Sequence, residues 1–214
     1  MRWPDLSIRH AATGGRDLLI FSGAEPDLRW QELARDVAQL ATLLGVRLWV
    51  SLGAVPGAVP HTMPVPVMST ASQDGLLQAG TPGPEGLLRV PSAALSALEM
   101  AVSAAGIPAV GFFAQVPPYA SIGYAAASIA LLERLGRHLG IDLPVEGLGD
   151  QEREQRARYD AAVSGDAMLR QTVEQLESVA EGVEEEHLPS GDELAREIVR
   201  FLRGHDGGEG DGRG

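Results

Sequence analysis

The chain has 214 residues, enough for one domain with an appendage, and 44% of them are hydrophobic against only 5% aromatic. It contains no cysteine and no lysine, all 17 basic side chains being arginine, which excludes disulfides, thiolate metal sites, Schiff bases and a Walker A phosphate loop. The formal net charge of −12 opposes nucleic-acid binding, which needs a basic face.

No apolar run reaches the roughly 18 residues of a membrane helix, and the opening MRWPDLSIRH carries no secretory apolar block. A soluble, cytoplasmic protein without membrane contact is the expectation. Along the chain, RDLLIFSG (16–23) is an apolar run closed by glycine and reads as a buried strand. The next segment repeats Leu33, Val37, Leu40 and Leu44 at helical spacing and closes on Gly45. VRLWVSLG (46–53) reads as a second strand, apolar on both faces as in a covered parallel sheet, so the three elements together predict a βαβ unit.

PVPVMS (64–69) reads as an edge strand, because proline cannot donate to an interior ladder. A turn-rich loop (80–86) and a short strand LLRV (87–90) follow, then an alanine-rich helix (92–106) and a buried strand, IPAVGFFAQV (107–116). A further helix occupies 125–140. Strands alternating with helices predict an α/β fold, a three-layer α/β/α sandwich.

Residues 1–149 carry 12 acids against 9 arginines, net −3, whereas 150–214 carry 17 against 8, net −9. This shift predicts an α/β core over 1–148, an acidic helical appendage over 149–204 and a disordered glycine-rich tail over 205–214. In the appendage, Leu169, Val173, Leu176, Ala180 and Val183 step by four and three, the spacing of a coiled-coil seam, and Gly165 and Asp166 interrupt the pattern upstream. Residues 150–187 are therefore expected as one long helix or two nearly collinear ones, its seam covered by the sandwich or by another chain. A capping box, Ser190 with Glu193, opens a last helix that ends near Arg200 and Arg203.

Candidate chemistry is sparse. His61 lies in a proline-rich loop beyond a strand end, where α/β sheets often bind ligands; it reads either as a base or phosphate donor or as a loop histidine bonded to backbone. Glu25, Pro26 and Asp27 precede a helix, and these carboxylates either bind Mg²⁺ or favour a helix N-terminus. Trp30 reads as a core anchor. VPPYASIGY (116–124) approaches a nucleophile elbow at Ser121 and Gly123, but Tyr119 stands where the motif needs its first glycine. The histidines at 10, 61, 138, 187 and 205 show no metal-ligand spacing, so neither metal nor cofactor is expected.

Taken in order, RWP at the start, SGAEPDLRW, LGAVPGAVPHTMPV, AGIPAVGFFAQVPPY, AAASIALLERL and EIVRFLR resemble the actinobacterial branch of the proteasome assembly chaperone two family. The resemblance runs from Arg2 to about Arg203 and is most specific in the Pro-His-Thr-x-Pro loop. It implies a phosphorylase/hydrolase-like three-layer fold, homo-oligomerisation and a non-catalytic chaperone role with proteasome subunits as partners. Older classification also links such proteins to ATP-grasp carboxylate–amine ligases, whose phosphate-binding lysines this chain lacks.

Two polar groups of the family loops are replaced, by Met63 after the threonine and by Pro118 before the tyrosine, and the C-terminal GDGRG cannot act as a hydrophobic-tyrosine docking tail. The family also carries a strand and helix ahead of the RWP segment, so the resemblance implies a sheet edge left open to wrong pairing. The residues expected to meet a ligand or partner are Glu25, Pro26, Trp30, His61, Thr62 and Tyr119, with Leu169, Val173, Leu176 and Val183 as the interaction helix. A small-molecule site in this α/β fold would need His61, Glu25 and Tyr119 to converge.

Overall fold

A computed structural model describes residues 6–77, 93–120 and 123–186, with side chains to residue 182. The loop and strand read at 80–90, Ser121, the Val183 side chain, the Ser190 capping box, the tail and the RWP start lie outside the described residues.

Two strands, β1 (Leu6–Thr13) and β2 (Arg16–Gly23), form an antiparallel hairpin in full register, Leu6 opposite Gly23 and Thr13 opposite Arg16. Gly14 and Gly15 turn it at φ 56° and 71°, the left-handed pair that a two-residue hairpin turn requires. The expected buried strand at 16–23 is thus a strand but not a buried one: Leu19 and Ile20 are 41% and 49% exposed. Among the described residues β2 pairs only with β1, and the ribbon is only partly covered, where Leu18 and Phe21 are half-buried and the Phe21 ring lies 6.5 Å from Trp49. The expected βαβ unit fails for the same reason.

Helix α1 (Trp30–Leu43) leads to a separate sheet of β3 (Trp49–Pro56), β4 (Val67–Ala71) and β5 (Ala109–Val116). Its order is β3-β5-β4, with β3 parallel and β4 antiparallel to the central β5. The parallel crossover therefore runs from β3 to β5, through β4 and helix α2 (Ala94–Ala104). Among the described residues β4 lies at an edge, as its flanking prolines predict.

Helices α1 and α2 cover one face, burying Ala38, Ala41, Val102, Ile107 and Ala109 with Val46, Trp49 and Ala101 against them. The buried stripe of α1 is Ala34, Ala38 and Ala41, while Leu40 and Leu44 are exposed. The leucine periodicity marks the correct helix but lies a residue off the contact, because alanine is what lets two helices approach closely. Helix α3 (Ala125–Leu139) covers the other face, where Ala114, Tyr124 and Ala127 are buried, completing the three layers. On that face Phe112 is fully buried, with the His138 ring edge-on at 5.3 Å and the Arg134 guanidinium over it at 5.3 Å.

Helices α4 (Leu148–Gly165) and α5 (Ala167–Glu186) follow. Asp166 breaks them with extended backbone and caps α5, its Oδ1 accepting the N–H groups of Met168 (2.8 Å) and Leu169 (3.2 Å). They are not collinear. Arg156 donates to the Thr62 carbonyl while Thr62 Oγ1 donates to Glu177; collinear helices would set residues 156 and 177 about 30 Å apart. No single threonine can reach both, so α5 turns at Asp166 and runs back toward the same β3–β4 loop that α4 touches. The 4–3 seam faces inward: Val173 is 4% exposed and Leu169 and Leu176 are half-buried.

Candidate functional site

The loop between β3 and β4 carries Pro60, Pro64 and Pro66, which restrict its backbone, and it buries Val59, Pro60 and His61 in succession. His61 is 4% exposed. The Tyr119 hydroxyl, from the segment after β5, accepts the His61 backbone N–H at 2.9 Å and lies 2.7 Å from Nδ1. On the other side Nε2 lies 3.2 Å from Asp160 Oδ1 on α4. One neutral tautomer satisfies every group: Tyr119 O–H donates to Nδ1, and Nε2–H donates to the carboxylate.

Around this ring stand three tyrosines. Tyr159 of α4 packs against His61, Tyr119 and Tyr124 with ring centroids 5.4 Å, 6.0 Å and 6.1 Å apart, all tilted or edge-on as aromatic quadrupoles prefer. Burial pushes the Tyr124 hydroxyl up to about 12, and it raises Tyr119 as well. Gln155 adds a further tie: its Oε1 accepts the Ala125 N–H at 2.8 Å and its Nε2 donates to the Gly123 carbonyl at 2.8 Å. Helix α3 has no capping side chain of its own, so α4 supplies its N-terminal cap.

The structure therefore brings His61, Thr62 and Tyr119 together, and it adds Arg156, Tyr159, Asp160 and Glu177, which sequence reasoning missed. Both ring nitrogens of His61 are engaged and its side chain is 2% exposed, so the imidazole meets no open space in which a substrate could sit. Glu25, Pro26 and Trp30 belong elsewhere. Glu25 Oε1 accepts the Ala94 N–H at 2.6 Å and so caps α2 rather than the helix that follows it in sequence; Trp30 Nε1 donates to the Pro26 carbonyl. The three-residue convergence that a small-molecule site would need is reduced to His61 and Tyr119.

Comparison with known proteins agrees with this architecture. The PAC2 family model matches residues 1–163. The chain belongs to the PAC2 family. A Mycobacterium tuberculosis protein of unknown function shares 33% identity at a TM-score of 0.78; the match covers 85% of this chain and 62% of that one, so the chain spans under two thirds of that relative. A Mycobacterium tuberculosis proteasome-assembly chaperone homologue shares 31% identity at a TM-score of 0.70, covering 80% and 74%. A PAC2 family protein from Streptomyces avermitilis shares 33% identity at 0.65, covering 73% and 67%. No curated protein matches the chain. Among the described residues, no helix of this PAC2 family chain is long and apolar enough to cross a membrane.

Proposed function

We propose that this PAC2 family chain is a non-catalytic, chaperone-like protein that acts through protein–protein contacts in the cytoplasm, as a homo-oligomer, with proteasome subunits as the partner class. The observation that carries the reading is the fate of His61. His61 engages both ring nitrogens inside the protein, Nδ1 with Tyr119 after β5 and Nε2 with Asp160 of α4, and so joins α4 to the sheet edge. A catalytic base needs its substrate, or the nucleophile it activates, within reach of solvent; the His61 side chain, 2% exposed, reaches only Tyr119, Tyr159 and Asp160.

In this reading the core over 1–148 is a scaffold, and the acidic helices beyond it are the partner-facing element. The proteasome-assembly chaperone homologue at 31% identity supports the partner class. The test is gentle affinity purification of the tagged full chain from its native cell, with mass spectrometry of what comes with it. Proteasome subunits recovered above the level of an untagged control are expected. Their absence, with the tagged chain monomeric by light scattering, would overturn the reading.

A further inference from the structure

Beyond the end of β4 the chain makes a turn in which two neighbouring residues are left without restraint. Ser72 closes the strand: its N–H donates to the Ala109 carbonyl at 2.9 Å and its Oγ accepts the Ala109 N–H at 3.0 Å. Asp74 and Gly75 follow in an exposed turn. Among the described residues, neither the Asp74 carboxylate nor the Gly75 N–H takes part in a hydrogen bond or ion pair. Gly75 sits at φ 81°, in the left-handed region that glycine enters without strain, and a Cβ placed on it would meet nothing within 4 Å.

The other described aspartates differ in one respect or the other. Asp17, Asp150, Asp160 and Asp166 each hold a hydrogen bond, to His10, Arg153, His61 and the start of α5. Asp27, Asp36 and Asp142 are followed by Leu28, Val37 and Leu143, whose side chains crowd the amide between them. Asp74 alone, among the described residues, is an aspartate that precedes glycine.

We propose that Asp74 is a site of spontaneous isomerisation, in which the Gly75 nitrogen closes a five-membered imide ring on the Asp74 side chain. The nitrogen bonds Cγ, the Cγ–OH bond breaks, and the hydroxyl leaves with the amide proton as water. Water then opens the ring. Cleavage at the Asp74 α-carbonyl routes the main chain through Cγ and gives isoaspartate; cleavage at Cγ restores aspartate. The reaction joins two neighbours in the chain, so it needs no partner and no co-reactant but water. A carboxyl reacts in its protonated form, a minority of carboxylic side chains at neutral pH, so the product accumulates slowly. It keeps its mass and charge but carries one more main-chain carbon, just beyond the bonds between Ser72 and Ala109. The aged chain is then a substrate for the class of enzymes that methylate isoaspartyl carboxylates. The inference stands apart from the chaperone reading, because it needs no partner protein.

The test holds the full chain in neutral buffer at body temperature for weeks and follows it in two ways. An isoaspartyl methyltransferase with tritiated S-adenosylmethionine labels the product, and an endoprotease that cuts before aspartate fails to cut before isoaspartate. Label on the peptide carrying Asp74 and loss of the cut between Gln73 and Asp74 should rise together. Both should stand at least about tenfold above the level at Asp27 and Asp36, whose following side chains hinder ring closure. The rate should lie within about tenfold of that of acetyl-Ser-Gln-Asp-Gly-Leu-amide, because no bond in the turn has to open first. Asp74→Glu should remove the label at this position while keeping the charge, since its ring would need six members. A level at Asp74 no higher than at Asp27 and Asp36 would overturn the proposal. So would label confined to the Asp-Gly pairs at 206–207 and 211–212, a rate far below that of the peptide, or label at this position that survives Asp74→Glu. The time course on the unmodified chain needs no variant, so a substitution that fails to fold cannot rescue the idea.

Discussion

The sandwich interior and the attachment of α4 and α5 are held by different physics. Inside the sandwich, Phe112, Val102, Val110 and Ala114 are 0–1% exposed, and the contacts are apolar and shaped by small residues. Helix α4 buries no residue fully and reaches the core through the Tyr159 ring together with the polar ties of Gln155, Arg156 and Asp160. Burial of apolar area is non-directional and tolerates repacking. A set of directional bonds around one buried imidazole is not so tolerant, because each bond depends on the geometry of the next. The first region should fail only when the whole domain unfolds; the second can open by itself.

The largest expected effect comes from the interior. Phe112→Ala should destabilise the chain by about 3–5 kcal/mol, the usual cost of an aromatic-to-alanine cavity, as measured by urea unfolding. The loss should be global, with amide protection falling in β3, β5 and α3 together. A cost under about 1 kcal/mol would mean that this layer is looser than its burial indicates, and the contrast between the regions would lose its rigid side.

Next comes the latch. His61→Ala removes the ring that joins Tyr119 to Asp160 and should cost about 1–3 kcal/mol, the range for leaving buried partners unsatisfied. Its signature is locality: hydrogen exchange should speed up over 148–182 while β5 keeps its protection. A double-mutant cycle with Asp160→Asn should give a non-zero coupling. Uniform loss of protection across the chain would erase the distinction drawn between the two regions.

These two cases also show what the sequence could reveal. The central strand was legible because its apolar run is continuous and ends in proline. Helices α2 and α3 were legible from alanine-rich periodicity, and the α5 seam from its 4–3 spacing. Strand β1 was missed because His10 breaks its short alternation, and without it β2 could only be assigned to the wrong sheet. Asp160 and Glu177 were invisible for another reason. They meet the His61 loop across 99 and 115 residues of chain and sit in polar helical stretches where a carboxylate looks like ordinary solvated surface. The one local clue to the reversal was Asp166, whose capping type of side chain after Gly165 marks a break but not the direction taken after it.

A smaller effect should come from His138, whose ring packs edge-on against Phe112. Burial, with the nearby Arg134 charge adding to it, holds this imidazole below its ordinary value of about 6.5. The unfolded chain then takes up the proton first, so stability is full above about pH 6.5 and declines as pH falls through 6.5 toward the lower folded value. His138→Gln should flatten the stability profile between pH 7 and 5. The slope persisting unchanged in that variant would show that His138 does not set it.

The smallest effect should lie on the outside of α4. Glu154 and Arg158 pair at i,i+4 with the acid on the N-terminal side, the favoured orientation, and their side chains are 66% and 72% exposed. A pair this open to water contributes about 0.3–0.5 kcal/mol, and salt should screen most of it. A cycle of Glu154→Ala and Arg158→Ala, measured at low ionic strength and again in 1 M salt, gives the coupling directly. A value above about 1 kcal/mol that survives salt would mean that this face of α4 is sealed against another chain in solution. The two regions would then differ less than a single chain suggests, because α4 would have an apolar-style interface of its own on its far side. A small, salt-sensitive coupling leaves α4 as a polar strut held from one side only, and the burden of attachment returns to the bonds around His61.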